Sequence, residues 1–291
     1  MLLKQHYKGI LCILSAAFFF ALMALFVREA GDLPSIQKSF FRNLVAMFAA
    51  VVLLVRNPQK VTMTGKSWWY LFLRALFGTL GVLGNFYAVD HLLLADASML
   101  NKMSPFFAIL FSFFLLREKI TPVQGALVLM AFGGAVLILR PSGENLDLFP
   151  ALIGLAGGAC AGLAYTMVRC LSQQGVKGPF IVFAFSAFSC VVTLPVLLLD
   201  FHPMTGEQLG FLLLAGVAAA GGQFSITAAY SFAPARELSV YDYTQVLFSA
   251  LLGFLFFRQT PDLISWLGYA VICGAGVLMF LYTKRQDARQ A

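Results

Sequence analysis

The sequence predicts an all-α integral membrane protein of ten transmembrane helices, built as two inverted five-helix repeats. Three observations carry this expectation. Hydrophobic residues form 60% of the 291-residue chain and charged residues 11%, with a mean hydropathy of +0.85. That charged fraction is under half the roughly 25% of an average soluble chain, and no soluble interior of this size hides so much apolar surface. The apolar residues fall in long unbroken runs, not in the two-residue alternation of a membrane β-barrel. The chain also matches itself at a fixed offset.

Each span has its own reason. A crossing helix needs about 20 mainly apolar residues. Lys4 and Lys8 precede the first run, 9–27, which is too long for a signal-peptide core and lacks a small-residue cleavage site. The run 35–55 follows the turn Gly31-Asp32-Leu33-Pro34, and 69–89 follows Asn57-Pro58. Trp68, Trp69 and Tyr70 beside Lys66 read as an interfacial anchor for that third span. Runs 96–116 and 123–140 flank Thr121-Pro122. The second half opens after Pro141-Ser142-Gly143 with 149–169; Gly178-Pro179 and His202-Pro203 then introduce 179–200 and 208–230. The last runs, 238–257 and 263–282, flank Thr260-Pro261, and Tyr282 before Lys284 anchors the end.

Charge sets the expected orientation. Lys4, Lys8, Arg56, Lys60, Lys66, Arg117, Lys119, Arg169, Lys177, Arg236, Lys284, Arg285 and Arg289 fall on the side of the N-terminus. Only Arg28, Lys38, Arg140 and Arg258 fall on the other. The excess places both termini in the cytoplasm. The net charge of +7 therefore reads as topology and contact with lipid head groups, not as a nucleic-acid surface. Cys12, Cys160, Cys170, Cys190 and Cys273 lie in or at the ends of apolar runs, with no Cys-x-x-Cys, and read as buried small side chains. No metal site, cofactor site or catalytic constellation is expected. His6, His91 and His202 lie at span ends or outside them, and no Ser–His dyad, His-Glu-x-x-His or phosphate loop is present. Any pumping must then draw on a gradient.

At an ungapped offset of 141 residues, Leu22 falls on Leu163, Val27-Arg28 on Val168-Arg169, Gly81 on Gly222 and Ala88 on Ala229. Ser98 falls on Ser239, Phe107, Leu110, Phe113 and Arg117 on Phe248, Leu251, Phe254 and Arg258, and Gly133 on Gly274. The halves are expected at residues 1–141 and 142–291. Five spans per half is an odd count, so the second copy enters from the opposite face. Such a pair exchanges inward-open and outward-open shapes by swapping the conformations of its halves, which points to a transporter.

Ala95-Asp96-Ala97-Ser98, then Ser104-Pro105, then Leu116-Arg117-Glu118-Lys119 and Gln124-Gly125, resemble the pattern of EamA-type members of the drug/metabolite transporter superfamily. The second copy departs from it, with Val246 in place of the Pro and Gln259 where Glu118 maps. The resemblance implies a substrate cavity between helices 1, 3, 4, 6, 8 and 9. It also implies a small polar or amphipathic metabolite such as an amino acid, and export from the inner membrane of a bacterium. The expected partners are that solute and the lipid bilayer, with protons or exchange as the driver, no nucleic acid, and a monomer or homodimer.

Charges inside spans are costly in lipid, on the order of 3 kcal/mol for a centred Arg, Lys or Asp, so those present should face a cavity, a partner or the interface. Lys102 and Asn101 lie in helix 4. Asp242, flanked by Tyr241 and Tyr243 and followed by Gln245, lies in helix 9 and is the candidate coupling residue. Lys102 suits a carboxylate or phosphate; Asp242 suits an amine or a proton. Direct contact between them is not expected. At about 1.5 Å rise per residue each lies roughly 8 Å from opposite faces of a core about 30 Å thick. Asn85, Tyr87, Tyr165, Gln223, Tyr230 and Tyr241 are candidate substrate contacts on cavity helices. Arg42 is read as a clamp pairing with Asp90 or Asp96, Arg74 as snorkelling to the inner interface, and Glu118 as a gate contact. Gly154, Gly158 and Gly162 recur every four residues, a spacing that permits close helix packing.

Overall fold

A computed structural model of the chain describes residues 2–56, 63–116, 121–139, 148–232 and 241–290. Among them the elements are α1 (Leu2–Glu29), α2 (Ser35–Arg56), α3 (Gly65–His91), α4 (Leu94–Asn101), α5 (Ser104–Leu116) and α6 (Pro122–Leu139). The second half continues with α7 (Leu148–Gln173), α8 (Gly178–Leu199), α9 (Gly206–Phe232), α10 (Thr244–Phe257) and α11 (Leu263–Gln290). Seven of these are long and apolar enough to cross a membrane singly. The α4–α5 pair, α6 and α10 account for the other three of ten crossings. Large apolar side chains point outward around the bundle, among them Phe48, Val55, Leu129, Leu199 and Leu263, as a lipid-facing belt requires.

The fourth crossing is broken, which the apolar run did not reveal. α4 ends at Asn101, Lys102 and Met103 form a turn, and α5 restarts at Ser104. Pro105 is the cause: it has no N–H to offer the Asn101 carbonyl four residues back, and its ring crowds that carbonyl. The ninth crossing breaks at the equivalent place without a proline. Residues 241 and 242 are helical, Tyr243 is a turn, and α10 begins at Thr244. There the Thr244 hydroxyl donates to the Tyr241 carbonyl at 2.6 Å, occupying an acceptor that a continuous helix would use.

The repeat is also written in the helix caps. Thr64 caps α3 through Ser67, and Thr205, 141 residues later, caps α9 through Gln208. Thr121 caps α6 through Gln124; its image Asp262 accepts from the Ser265 N–H at the start of α11. In each case a short oxygen-bearing side chain satisfies an orphan N–H of the first turn.

Packing follows a pseudo-two-fold plan. α1 lies against α9 and its image α7 lies against α3. α5 packs on α7 as α10 packs on α1, and α2 packs on α9 as α8 packs on α3. α2 with α8, and α6 with α11, are each paired across the axis. In lipid such contacts depend on close fit more than on apolar burial. A Cβ on Gly158 would stand 2.6 Å from the Leu100 carbonyl oxygen, and one on Gly162 would stand 2.5 Å from that of Ser104. These glycines let α7 seat against the broken fourth crossing.

Candidate functional site: a cation-lined cavity between the halves

A cavity of about 80 Å³ lies between the two halves at the level of the helix breaks. It has room for on the order of five waters and is far smaller than the roughly 300–1,000 Å³ of a typical ligand pocket, so a solute must widen it. Of the residues expected from sequence, Asn85, Asn101, Lys102, Tyr165, Gln223 and Gln245 line it.

Lys102 and Asp242 are in direct contact: Nζ donates to Oδ2 at 2.6 Å. The depth estimate from continuous helices fails here for two reasons. Both crossings are interrupted at this level, and the flexible four-carbon stem of the lysine spans the remaining gap. Both side chains are largely buried, at 7% and 16% exposure, and Oδ1 of Asp242 has no hydrogen-bond partner.

Two further cations reach the cavity, and sequence reasoning misplaced both. Arg42, on α2, pairs with neither Asp90 nor Asp96. Asp90 is taken by Lys38, one helical turn earlier, at 2.6 Å, and Asp96 accepts from the Tyr269 hydroxyl at 2.7 Å. Arg42 instead donates to Asn43 Oδ1 at 2.6 Å, and Asn43 is held by Ser39 and by Ser189 of α8. Arg74 does not snorkel; it is buried, lines the cavity and stacks over Phe185 with its guanidinium carbon 4.4 Å from the ring centre. Arg42 lies over the same ring at 5.8 Å. Nε of each arginine is buried without a hydrogen-bond partner, and neither has a carboxylate partner among the described residues. Gly78 makes room for this arrangement: a Cβ there would stand 2.0 Å from Arg74 Nη1 and 3.0 Å from Phe185.

Other candidates lie elsewhere. Tyr87 stacks on His91, with ring centres 4.2 Å apart, away from the cavity. Tyr241 packs on Ile13 and Ala229. Gly154 faces Ala88, while Gly158 and Gly162 face the broken crossing. Glu118 and the Tyr230 side chain lie outside the described residues.

The end of the bundle away from the N-terminus is cross-tied by polar contacts. Besides Lys38–Asp90, Arg28 donates to the Leu92 carbonyl at 2.6 Å, and Gln208 donates to that of Ala30 at 3.1 Å. Gln37 donates to the His202 carbonyl at 2.9 Å and accepts from its N–H at 3.1 Å. Gln259 accepts from the Leu94 N–H at 3.1 Å, so a second-half side chain caps α4. At the other end, Ser67 donates to Gln174.

Comparison with known proteins agrees with this architecture. The EamA-like transporter family matches residues 7–140 and 148–282. A pseudopaline exporter, CntI, of Pseudomonas aeruginosa is 33% identical over 281 residues, covering 96% of this chain and 98% of that protein. A riboflavin transporter of Brucella anthropi is 27% identical over 266 residues, covering 88% and 90%. A solved crystal structure superposes with a TM-score of 0.68 at 18% identity over 97% of this chain and 99% of its own, a likeness of fold. Two matched segments, a relative aligned end to end, and a cavity between halves that mirror each other's packing agree: the chain belongs to the EamA-like transporter family of the drug/metabolite transporter superfamily, and it is a multi-pass membrane transporter, not an enzyme.

Proposed function

We propose that the protein is a secondary transporter exporting a small polar or amphipathic metabolite, of the amino acid class or related to it, by alternating access. Residues 1–141 and 142–291 are the two bodies that rock against each other, in the inner membrane of a bacterium, with both termini in the cytoplasm. The observation that carries this reading is the position of the cavity. It sits between the halves, at two helix breaks, while the far end is tied shut by Lys38–Asp90 and its neighbours. Discontinuous helices facing a central site recur in carriers, because broken backbone is tolerated only where it lines a cavity or is covered by protein. The names of the relatives, an exporter and a vitamin transporter, support a metabolite as cargo.

The driver is a proton or an exchanged solute. The Lys102–Asp242 contact supports either: a proton on Asp242 releases Lys102, and so does an incoming group that displaces it. A thermal-shift screen of purified protein against amino acids, nucleosides, amines and organic acids identifies the solute through its stabilisation of the folded state. Inside-out vesicles then accumulate that solute under a pH gradient. Asp242→Asn abolishes accumulation and leaves exchange measurable; full gradient-driven accumulation in that variant removes Asp242 from coupling.

A further inference from the structure

The charge balance of the cavity narrows the cargo, on the reading that this cavity is the transport site. Among the described residues three cations line it, Arg42, Arg74 and Lys102, and one carboxylate, Asp242, is bound to the last of them. Lys102 and Asp242 neutralise each other. Arg42 and Arg74 remain, both always charged, both buried, stacked on one phenylalanine and without a carboxylate among the described residues. A protein selected only for stability has little reason to hold two like charges together in a low-dielectric interior, because each lacks its compensating partner. We propose that the missing partner is the solute: a small organic dianion, carrying two carboxylates or a phosphate monoester, whose acid groups lie between Arg42 and Arg74.

The geometry supports this class over a cation or a neutral solute. A guanidinium presents its N–H groups as a planar fork that matches two acid oxygens. Phe185 lies against both guanidiniums, and the Nε of each is buried without a hydrogen-bond partner. Gly78 keeps the space that Arg74 needs, and Asn43 holds Arg42 in place through one N–H. Lys102 lines the cavity and holds Asp242, whose Oδ1 is unpartnered. An amine on the same solute finds its acceptor there.

The test is thermal stabilisation of the purified full chain in detergent by matched probes: succinate and glycerol phosphate as dianions, butyrate as a monoanion and putrescine as a dication. The dianions raise the melting midpoint most, and the preferred one of the two identifies the acid group. Arg42→Gln and Arg74→Gln weaken dianion binding about tenfold or more, in line with the loss of a charged hydrogen bond. Gly78→Ala, which keeps the charge but crowds Arg74, weakens it too. A second readout separates this from a structural role: ligand-free Arg74→Gln melts no lower than the parent, because an uncompensated buried charge has been removed. Greater stabilisation by putrescine, no stabilisation by either dianion, or equal dianion binding in the Arg variants overturns the assignment. Dianions that bind but never cross a vesicle membrane contradict the transport reading and leave the assignment standing. A diamine that both binds and is transported does the reverse.

Discussion

The first five crossings bring Arg42, Arg74 and Lys102 to the cavity; the positions 141 residues later hold Phe183, Ala215 and Tyr243. Among the described residues the second half answers with one carboxylate, Asp242, where the first has Asn101. The backbones meanwhile agree closely. Caps at Thr64 and Thr205, breaks before Ser104 and at Tyr243, and helix pairings that map onto each other all repeat. The two halves thus differ in what the solute touches and resemble each other in what must move. Equivalent backbones allow the halves to exchange conformations; unlike side chains give the site a fixed electrostatic character in both. The far-end tie is also one-sided, because Lys38 and Asp90 map onto Pro179 and Ser231. The two closed ends of the cycle therefore rest on different contacts, and the two open states need not be equally populated.

The largest expected effects probe the charge difference. Asp242→Asn leaves Lys102, Arg42 and Arg74 lining one cavity without their carboxylate and lowers stability by about 3 kcal/mol or more, the range for breaking one side of a buried pair. Lys102→Met leaves Asp242 with only Arg42 and Arg74, which line the same cavity as Lys102, to offset its charge, and lowers it by roughly half as much. Thermal melts of the two variants in the same detergent compare them, and an equal loss would mean that the arginines do not feel Asp242. Lys38→Met, at the far end, strands Asp90 and lowers stability by about 2 kcal/mol while favouring the state open at that end. Faster hydrogen exchange across residues 86–100 and 200–210 reports it.

A smaller effect tests the packing difference. Gly162 maps onto Ala21, so α1 carries a methyl where α7 carries none. Gly162→Ala drives that methyl into the Ser104 carbonyl and lowers stability by about 1–3 kcal/mol. Gly133→Ala, with open space around it, is neutral or slightly stabilising, up to about 1 kcal/mol from helix propensity. The smallest effect tests the shared scaffold. Thr64→Ala and Thr205→Ala each lower stability by about 1 kcal/mol, and matching losses in melts indicate equivalent caps.

The crossings and the repeat were legible because each rests on a local signal, apolar run length or an arithmetic offset. Asn101, Lys102 and Asp242 were legible as polar groups with no reason to sit in lipid. Their contact was not. The break at Tyr243 has no proline to announce it, and side-chain reach is invisible to a count of helical rise. Arg74 was misplaced because the apolar run begins near residue 69, whereas the helix begins at Gly65 behind the Thr64 cap. Nine residues into α3, Arg74 lies about 14 Å along the helix at roughly 1.5 Å per residue, too deep to snorkel. The Thr64-x-x-Ser67 signal that fixes this start recurs as Thr205-x-x-Gln208, so it was available in the sequence. The sequence pairs Arg42 with Asp90 or Asp96 because all three fall near the same outer face; Lys38, buried one turn away, holds Asp90 instead.

The central claim is that one cavity faces the two sides of the membrane in turn. It is tested most directly by a cysteine at Asn101, which lines the cavity, in a chain whose Cys12, Cys160, Cys170, Cys190 and Cys273 are replaced. A membrane-impermeant thiol reagent is applied from one side and then from the other. The account predicts labelling from the N-terminal side in the parent and a shift towards the far side with Lys38→Met. Equal, simultaneous labelling from both sides in every variant would describe an open channel and contradict it.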